Sequence, residues 1–236
     1  MAPLIRAAFL PEKGQLWGAA DYSQQEPRMA VHFAALCNVI GAEAAVQYYC
    51  DDPSADFHTM VAELTGLKRK QAKIINLGLM YGMGIRKLAH DLGVSVDEAK
   101  EIVAQYIGRM PWVKQLENFC SARANSRGFI RLLDGARCRF DKWELAWDRD
   151  DPDAFAATTE ERARQLAKGK KIRRADTRKA MNCLIQGSSA RQTKMAMREC
   201  HREGIIPLIQ MHDEIDFPVG SPEEAQKVAH IMENVV

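Results

Sequence analysis

Two apolar runs, each ending on an acidic residue and lying near opposite ends of the chain, constrain the fold more than any other feature. Leu16-Trp17-Gly18-Ala19-Ala20 runs into Asp21, and Ile205 to Met211 runs into His212-Asp213-Glu214. An apolar strand with a carboxylate at its tip delivers a hard oxygen ligand to the edge of a buried sheet. Two such strands, so far apart in 236 residues, meet only if a whole domain folds around them. Between them lies Arg69-Lys70-Gln71-Ala72-Lys73-Ile74-Ile75-Asn76-Leu77-Gly78-Leu79-Met80-Tyr81-Gly82, cationic at its start and apolar beyond. Carboxylates that suit a metal, together with a cationic helix, point to phosphoryl transfer on a polyanion.

Bulk composition narrows the class without naming it. A hydrophobic content of 47% supports a sizeable core in one large domain or two. Lys plus Arg number 33 against 31 Asp plus Glu, a net charge of +2, which excludes a globally basic protein but leaves room for a local basic channel. No run nears the ~18 apolar residues that span a membrane, and the N-terminus lacks the basic start and apolar core of a signal peptide. None of the six cysteines forms a C-x-x-C pair, so reduced thiols are expected and a zinc site is not.

Period and punctuation give a coarse layout. Residues 4–20 read as two strand-like runs around Pro11-Glu12-Lys13-Gly14. Helices are expected from Gln25 to Cys37, near Glu43–Cys50, from about Ala55 to Leu64, over Lys68–Tyr81 and over Ile85–Leu92, the last closed by Gly93. Ser95 and Glu98 form a capping box for a helix to about Ile107, and Pro111 opens another that ends before Gly128. Asp134-Gly135 marks a hairpin within Ile130–Phe140. The charged stretch 141–172, with Asp148-Arg149-Asp150-Asp151-Pro152-Asp153, reads as an exposed insertion. A long helix is expected over Arg174–Arg202, then strands at Ile205–Met211 and Ile215–Pro218, then a helix entered through Ser221, Pro222 and Glu224. Strands from both ends and helices between them give an α+β plan. The last helix has no stop signal and the first strand begins almost at once, so a piece of a larger protein is expected.

Each constellation carries two readings. Arg69, Lys73, Leu77 and Tyr81 share a helical face over roughly 18 Å at about 1.5 Å rise per residue, close to the length of an extended nucleoside triphosphate. An ordinary amphipathic helix with two surface cations fits the same pattern. Asp21 and Asp213 suit two Mg²⁺ ions about 3.5–4 Å apart, yet an aspartate after a strand is commonly a surface turn. Glu26 can wall off the 2′ side of a sugar, or simply favour a helix N-terminus. Arg178, Asn182 and Gln186 recur every four residues and suit minor-groove acceptors, or make a solvated face. Lys168 to Arg174 holds five cations in seven residues, which reads first as a surface loop.

Taken together, the segments resemble the polymerase motifs of family A DNA polymerases, the bacterial DNA polymerase I and phage type. Asp21-Tyr22-Ser23-Gln24-x-Glu26-x-Arg28 resembles motif A, Arg69-x3-Lys73-x2-Asn76-x-Gly78-x2-Tyr81-Gly82 motif B, and His212-Asp213-Glu214 motif C. Asp56-Phe57-His58 and Asn182-x3-Gln186-Gly187 are similar to further elements of that family. The resemblance implies a right-hand palm, an antiparallel sheet with helices, carrying an inserted and mainly helical fingers subdomain. The palm would be 1–50 and 176–236, and the fingers 51–175. It implies primer-template DNA and dNTPs as partners, two Mg²⁺ ions as cofactor, and the cytoplasm of a bacterial cell or phage-infected host. Asp21, Asp213 and the Tyr22 carbonyl would bind metal, with Glu214 supporting catalysis. Arg69, Lys73, His58, Leu77, Tyr81, Glu26 and Gln24 would bind the nucleotide, and Arg178, Asn182, Gln186 and His212 the DNA.

Departures from the pattern qualify this. Leu77 stands where relatives usually carry Phe or Tyr, so altered sugar discrimination is expected. Gln25 and Pro27 replace typical aliphatics, and Arg191-Gln192 replaces a small-acidic pair. The stretch 141–172 resembles the phage branch. The thumb, the upstream palm and the nucleases are missing from the pattern. Template-directed DNA synthesis leads. A single-subunit RNA polymerase shares the plan, but Glu26 argues against it. A non-catalytic DNA-binding remnant is the third reading, against which stand Asp21, Asp213, Arg69 and Lys73.

Overall fold

The computed structural model describes residues 8–146 and 154–236. In chain order the elements are β1 Leu16–Asp21, α1 Gln25–Leu36, α2 Ala42–Asp51, α3 Phe57–Thr65, α4 Arg69–Met80, α5 Ile85–Leu92, α6 Val96–Arg109, α7 Pro111–Arg127, β2 Phe129–Arg131, β3 Arg137–Arg139 and β4 Trp143–Leu145. Then come α8 Glu160–Ala167, β5 Ile172–Arg174, a 3₁₀ turn Thr177–Lys179, α9 Ala180–Arg202, β6 Ile209–Met211, β7 Glu214–Val219 and α10 Pro222–Asn234. No helix among the described residues is long and apolar enough to cross a membrane. Two compact units divide the chain: residues up to 25 with 188–236, and residues 26–187.

The first unit is built on an antiparallel sheet in the order β1-β7-β6. Central β7 is covered on both faces, so Ile215, Asp216 and Phe217 are all buried. Its apolar residues pack with Val228 and Met232 of α10, with Ala196 and Cys200 of α9, and with Ile205. Gly18 of β1 lies opposite Phe217, and a Cβ there would come within 2.6 Å of the ring. Only a residue without a side chain lets the aromatic cross β1 at that point.

Helices and two small antiparallel pairs, β2–β3 and β4–β5, make the second unit. Phe57, Val61, Ile75, Met80, Leu88, Tyr106, Leu116 and Ile185 are buried in its core. The local signals act as read: Gly93 takes a left-handed φ of +72° after α5, Ser95 and Glu98 close a reciprocal box on α6, and the Asp134-Gly135 turn joins β2 to β3.

Several boundaries differ from the sequence reading, each for a physical reason. Residues 8–10 form no strand, and residues 4–7 of that run lie outside the described residues. The strand expected over Ile205–Met211 shortens to β6. The Ile205 N–H is spent on the Cys200 carbonyl (2.9 Å) in closing α9, and Pro207 has no N–H to give. The helix expected from Arg174 begins at Ala180. Residues 172–174 pair with β4 instead, and Asp176 turns the chain at a left-handed φ of +60°. Within 141–172, β4 and α8 are regular, and Ala146, Ala163 and Ala167 are buried. Asp148 to Asp153 lie outside the described residues.

Candidate active site

The acidic tips meet within the first unit. Antiparallel register pairs Asp21 with Glu214, the last residue of β1 with the first of β7. Directly opposed residues present their side chains on one face. The Tyr22 N–H donates to the Asp213 carbonyl at 3.3 Å, so the Asp213 backbone lies next to the Asp21–Glu214 pair at the ladder's end. Asp21 is exposed, while Asp213 and Glu214 are half-buried. His212-Asp213 forms the two-residue connection between β6 and β7, with His212 at a left-handed φ of +57°. That conformation is costly for a residue with a side chain, and the Gln210 amide steadies it by donating to the His212 carbonyl at 2.6 Å. The Tyr22 hydroxyl donates to the Met232 carbonyl at 2.9 Å, and burial, with the Cys200 thiol adding to it, pushes the phenol well above its ordinary pKa.

Gln25 is a buried joint behind this ladder. Its Nε2 lies 3.2 Å from the Ser189 carbonyl, 3.1 Å from Gln192 Oε1 and 3.2 Å from Thr193 Oγ1. Two departures noted in the sequence, Gln25 and Gln192, are therefore hydrogen-bond partners. Pro27 is buried in the first turn of α1, where its missing N–H costs nothing.

In the second unit, α3 and α4 pack together. Ala72, Ile75, Asn76, Gly78 and Met80 of α4 are buried, Leu77 and Tyr81 are half-buried, and Arg69 and Lys73 are exposed. Asp56 organises the cationic end. Its carboxylate accepts the His58 N–H at 2.9 Å and the Thr59 hydroxyl at 3.1 Å as the N-cap of α3, and it pairs with the Arg69 guanidinium. Burial alone would raise its pKa, but these donors outweigh it and hold the carboxyl below its usual value. Lys73 makes no ion pair among the described residues. His58 is buried, with Nδ1 2.9 Å from Asn76 Nδ2. Desolvation depresses its pKa. Asp56 opposes that shift, and Lys73 and Arg69 add to it.

Glu26 is half-buried on the first turn of α1, just after Gln24 at a left-handed φ of +53°. The guanidinium of Arg28 stacks 4.3 Å from the centre of the Tyr49 ring and donates to the Pro53 carbonyl. Asn182 and Gln186 share a face of α9, whereas Arg178 stands on the 3₁₀ turn before it, so the single helical face expected for the three does not extend to Arg178. Asn182 Oδ1 is buried with no partner among the described residues. Sequence reasoning gave no role to the Asn76 side chain or to the Gln25–Gln192 contact. An aspartate just before an apolar helix was the available signal for the Asp56 cap. Nothing local announced the other two.

A family model described as DNA polymerase family A matches residues 2–236. The chain belongs to DNA polymerase family A. A family A relative, the DNA-directed DNA polymerase of Pseudomonas phage M6, is 39% identical over 98% of this chain and 37% of its own length. The thermostable DNA polymerase I of Thermus aquaticus is 29% identical over 98% of this chain and 26% of its own. Among solved structures, the polymerase domain of Pol1 from M. smegmatis, in complex with DNA primer-template and dNTP, superimposes with a TM-score of 0.72 at 27% identity. It covers 98% of this chain and 39% of that one. The chain thus spans well under half the length of these family A relatives.

Among the described residues, no group of three or more His, Cys, Asp or Glu side chains is gathered to hold a metal unaided. The donors at the β1–β7 ladder end are carboxylates and backbone carbonyls. Hard oxygens of this kind suit Mg²⁺, which keeps waters and takes few protein ligands. In donor chemistry the ladder end fits the ions that the family A resemblance implies.

Proposed function

We propose that this chain is the catalytic part of a DNA-directed DNA polymerase, extending a primer 3′-hydroxyl with dNTPs under template direction. The palm comprises 1–50 and 176–236 and the fingers 51–175. The observation that carries this reading is the pairing of Asp21 with Glu214 beside Asp213 at one end of one ladder. The Pol1 relative, captured with primer-template and dNTP, supports the same partners here.

Asp21, Asp213 and the Tyr22 carbonyl would hold two Mg²⁺ ions, with Glu214 steadying the ladder end. The chemistry such ions would supply is Lewis-acid activation of the attacking hydroxyl and neutralisation of charge on the leaving pyrophosphate. Arg69 and Lys73 bind the triphosphate through charge, and the positive end of the α4 dipole adds to their pull. Release of Arg69 from Asp56 frees its planar fork for phosphate oxygens. His58 donates to the same triphosphate. Leu77 and Tyr81 pack on sugar and base, and Gln24 lines the nucleotide. Glu26 excludes a ribose 2′-hydroxyl by leaving it crowded or unpaired. His212, Arg178, Asn182 and Gln186 contact primer and template.

Primer extension by the full polypeptide in Mg²⁺ tests this. Asp21→Ala and Asp213→Ala are each expected to abolish extension while folding is retained. Extension that survives either change removes that aspartate from the site.

A further inference from the structure

His58 is 6% exposed and Asn76 is fully buried, and their contact is the one polar link between the ring and the α4 interior among the described residues. An amide nitrogen only donates, so at 2.9 Å Asn76 Nδ2 gives its proton to Nδ1, which must carry a lone pair. A neutral ring has a single proton, and here it falls on Nε2. Turning the amide over would set its oxygen against Nδ1. The NH₂ group would then point where Oδ1 now meets no partner among the described residues. A stranded donor pair is the costlier defect, because under-satisfied carbonyls are the better tolerated.

We infer that Asn76 is a positioning residue that fixes His58 as the Nε2–H tautomer, leaving one N–H to meet a phosphate oxygen of the incoming nucleotide. The inference rests on the reading of His58 as a triphosphate ligand. The groups that face the ring electrostatically are Asp56 at its own helix cap and Arg69 and Lys73 on α4. Two cations already stand there, so a neutral donor adds a directed hydrogen bond without a third positive charge to desolvate. Burial, the largest influence on the ring, works in the same direction by favouring the uncharged form.

Nitrogen-15 NMR of the histidine rings in the isotopically labelled protein at neutral pH reads the tautomer directly. The expected pattern for His58 is an unprotonated Nδ1 and a protonated Nε2. An Nδ1–H ring or an imidazolium overturns the inference. Titration with dATP and Mg²⁺ then reads the consequence. Asn76→Leu keeps the bulk but removes the donor, and should weaken dATP binding about three- to tenfold, the value of one hydrogen bond. Asn76→Asp sets a carboxylate against Nδ1–H, which favours the imidazolium and, once that loses a proton, the Nδ1–H ring, so its dATP affinity should fall as pH rises and the Nε2 proton is lost, while the parent keeps its Nε2–H. Unchanged affinity in Asn76→Leu also counts against the inference, and that variant with the ring spectrum decides the matter if Asn76→Asp does not fold. His58→Ala separates the two claims. Unchanged dATP affinity there refutes His58 as a ligand, whatever tautomer the spectrum reports.

Discussion

At the residue scale, Gln25 shows how a polar side chain holds a buried position normally given to an aliphatic one. The two hydrogens of its amide nitrogen are shared among acceptors on Ser189, Gln192 and Thr193, all within 3.2 Å. Gln25→Leu is expected to cost about 1–3 kcal/mol, because acceptors inside the fold lose the amide's two donors. Gln192→Leu alone should cost less, and the double variant should lose less than the sum of the two. Urea unfolding with unchanged m-values checks the cycle, and strict additivity would contradict the contact. His58 supplies a pH dependence whose sign follows from its depressed pKa. Between that value and about 6.5 the unfolded chain binds more protons than the folded one. Stability therefore rises with pH through that window and falls as the window is crossed downward. Chemical denaturation at stepped pH should show the slope in the parent, and His58→Gln should flatten it.

At the scale of elements, the β1–β7 ladder sets where Asp21 sits, and Gly18 sets how closely the ladder closes. Gly18→Ala forces a Cβ against the Phe217 ring and is expected to destabilise by about 1–3 kcal/mol. Phe217→Leu in the same background should recover part of that loss, as thermal unfolding would show. What the sequence made legible at this scale is what local chemistry determines. Gly93, the Ser95–Glu98 box, Pro111, Asp134-Gly135 and Ser221 fix element ends through contacts a few residues long. The pairing of Trp143–Leu145 with Ile172–Arg174 joins strands far apart in a charged stretch with no alternating pattern, so periodicity gave no sign of it. Asp176 breaks a stretch of good helix formers by a backbone turn that no propensity announces. Of the candidate site, the charges and their motif spacing were readable. The Gln25–Gln192 contact and the Asn76–His58 bond were not, because each joins residues that become neighbours only on folding.

Across the whole molecule, the two hydrophobic cores share no residue. Phe217→Ala is expected to cost about 3–5 kcal/mol. Its effect should fall on the amides of β1, β7 and α10, with α6 and α7 keeping their protection. Native-state hydrogen exchange reads this residue by residue, and uniform loss of protection would contradict separate cores. The proposed tasks divide likewise, since the acids belong to one compact unit and Arg69, Lys73 and His58 to the other.

For anyone re-engineering this polypeptide, the ladder end says where spacing is negotiable. Cross-strand hydrogen bonds, not the chain between, hold Asp21 opposite Glu214, so surface connections in the middle of the sequence can be lengthened or exchanged with the acids still in register. A single codon added inside Leu16–Asp21 would do the opposite: alternation would turn that carboxylate to the reverse side of the sheet.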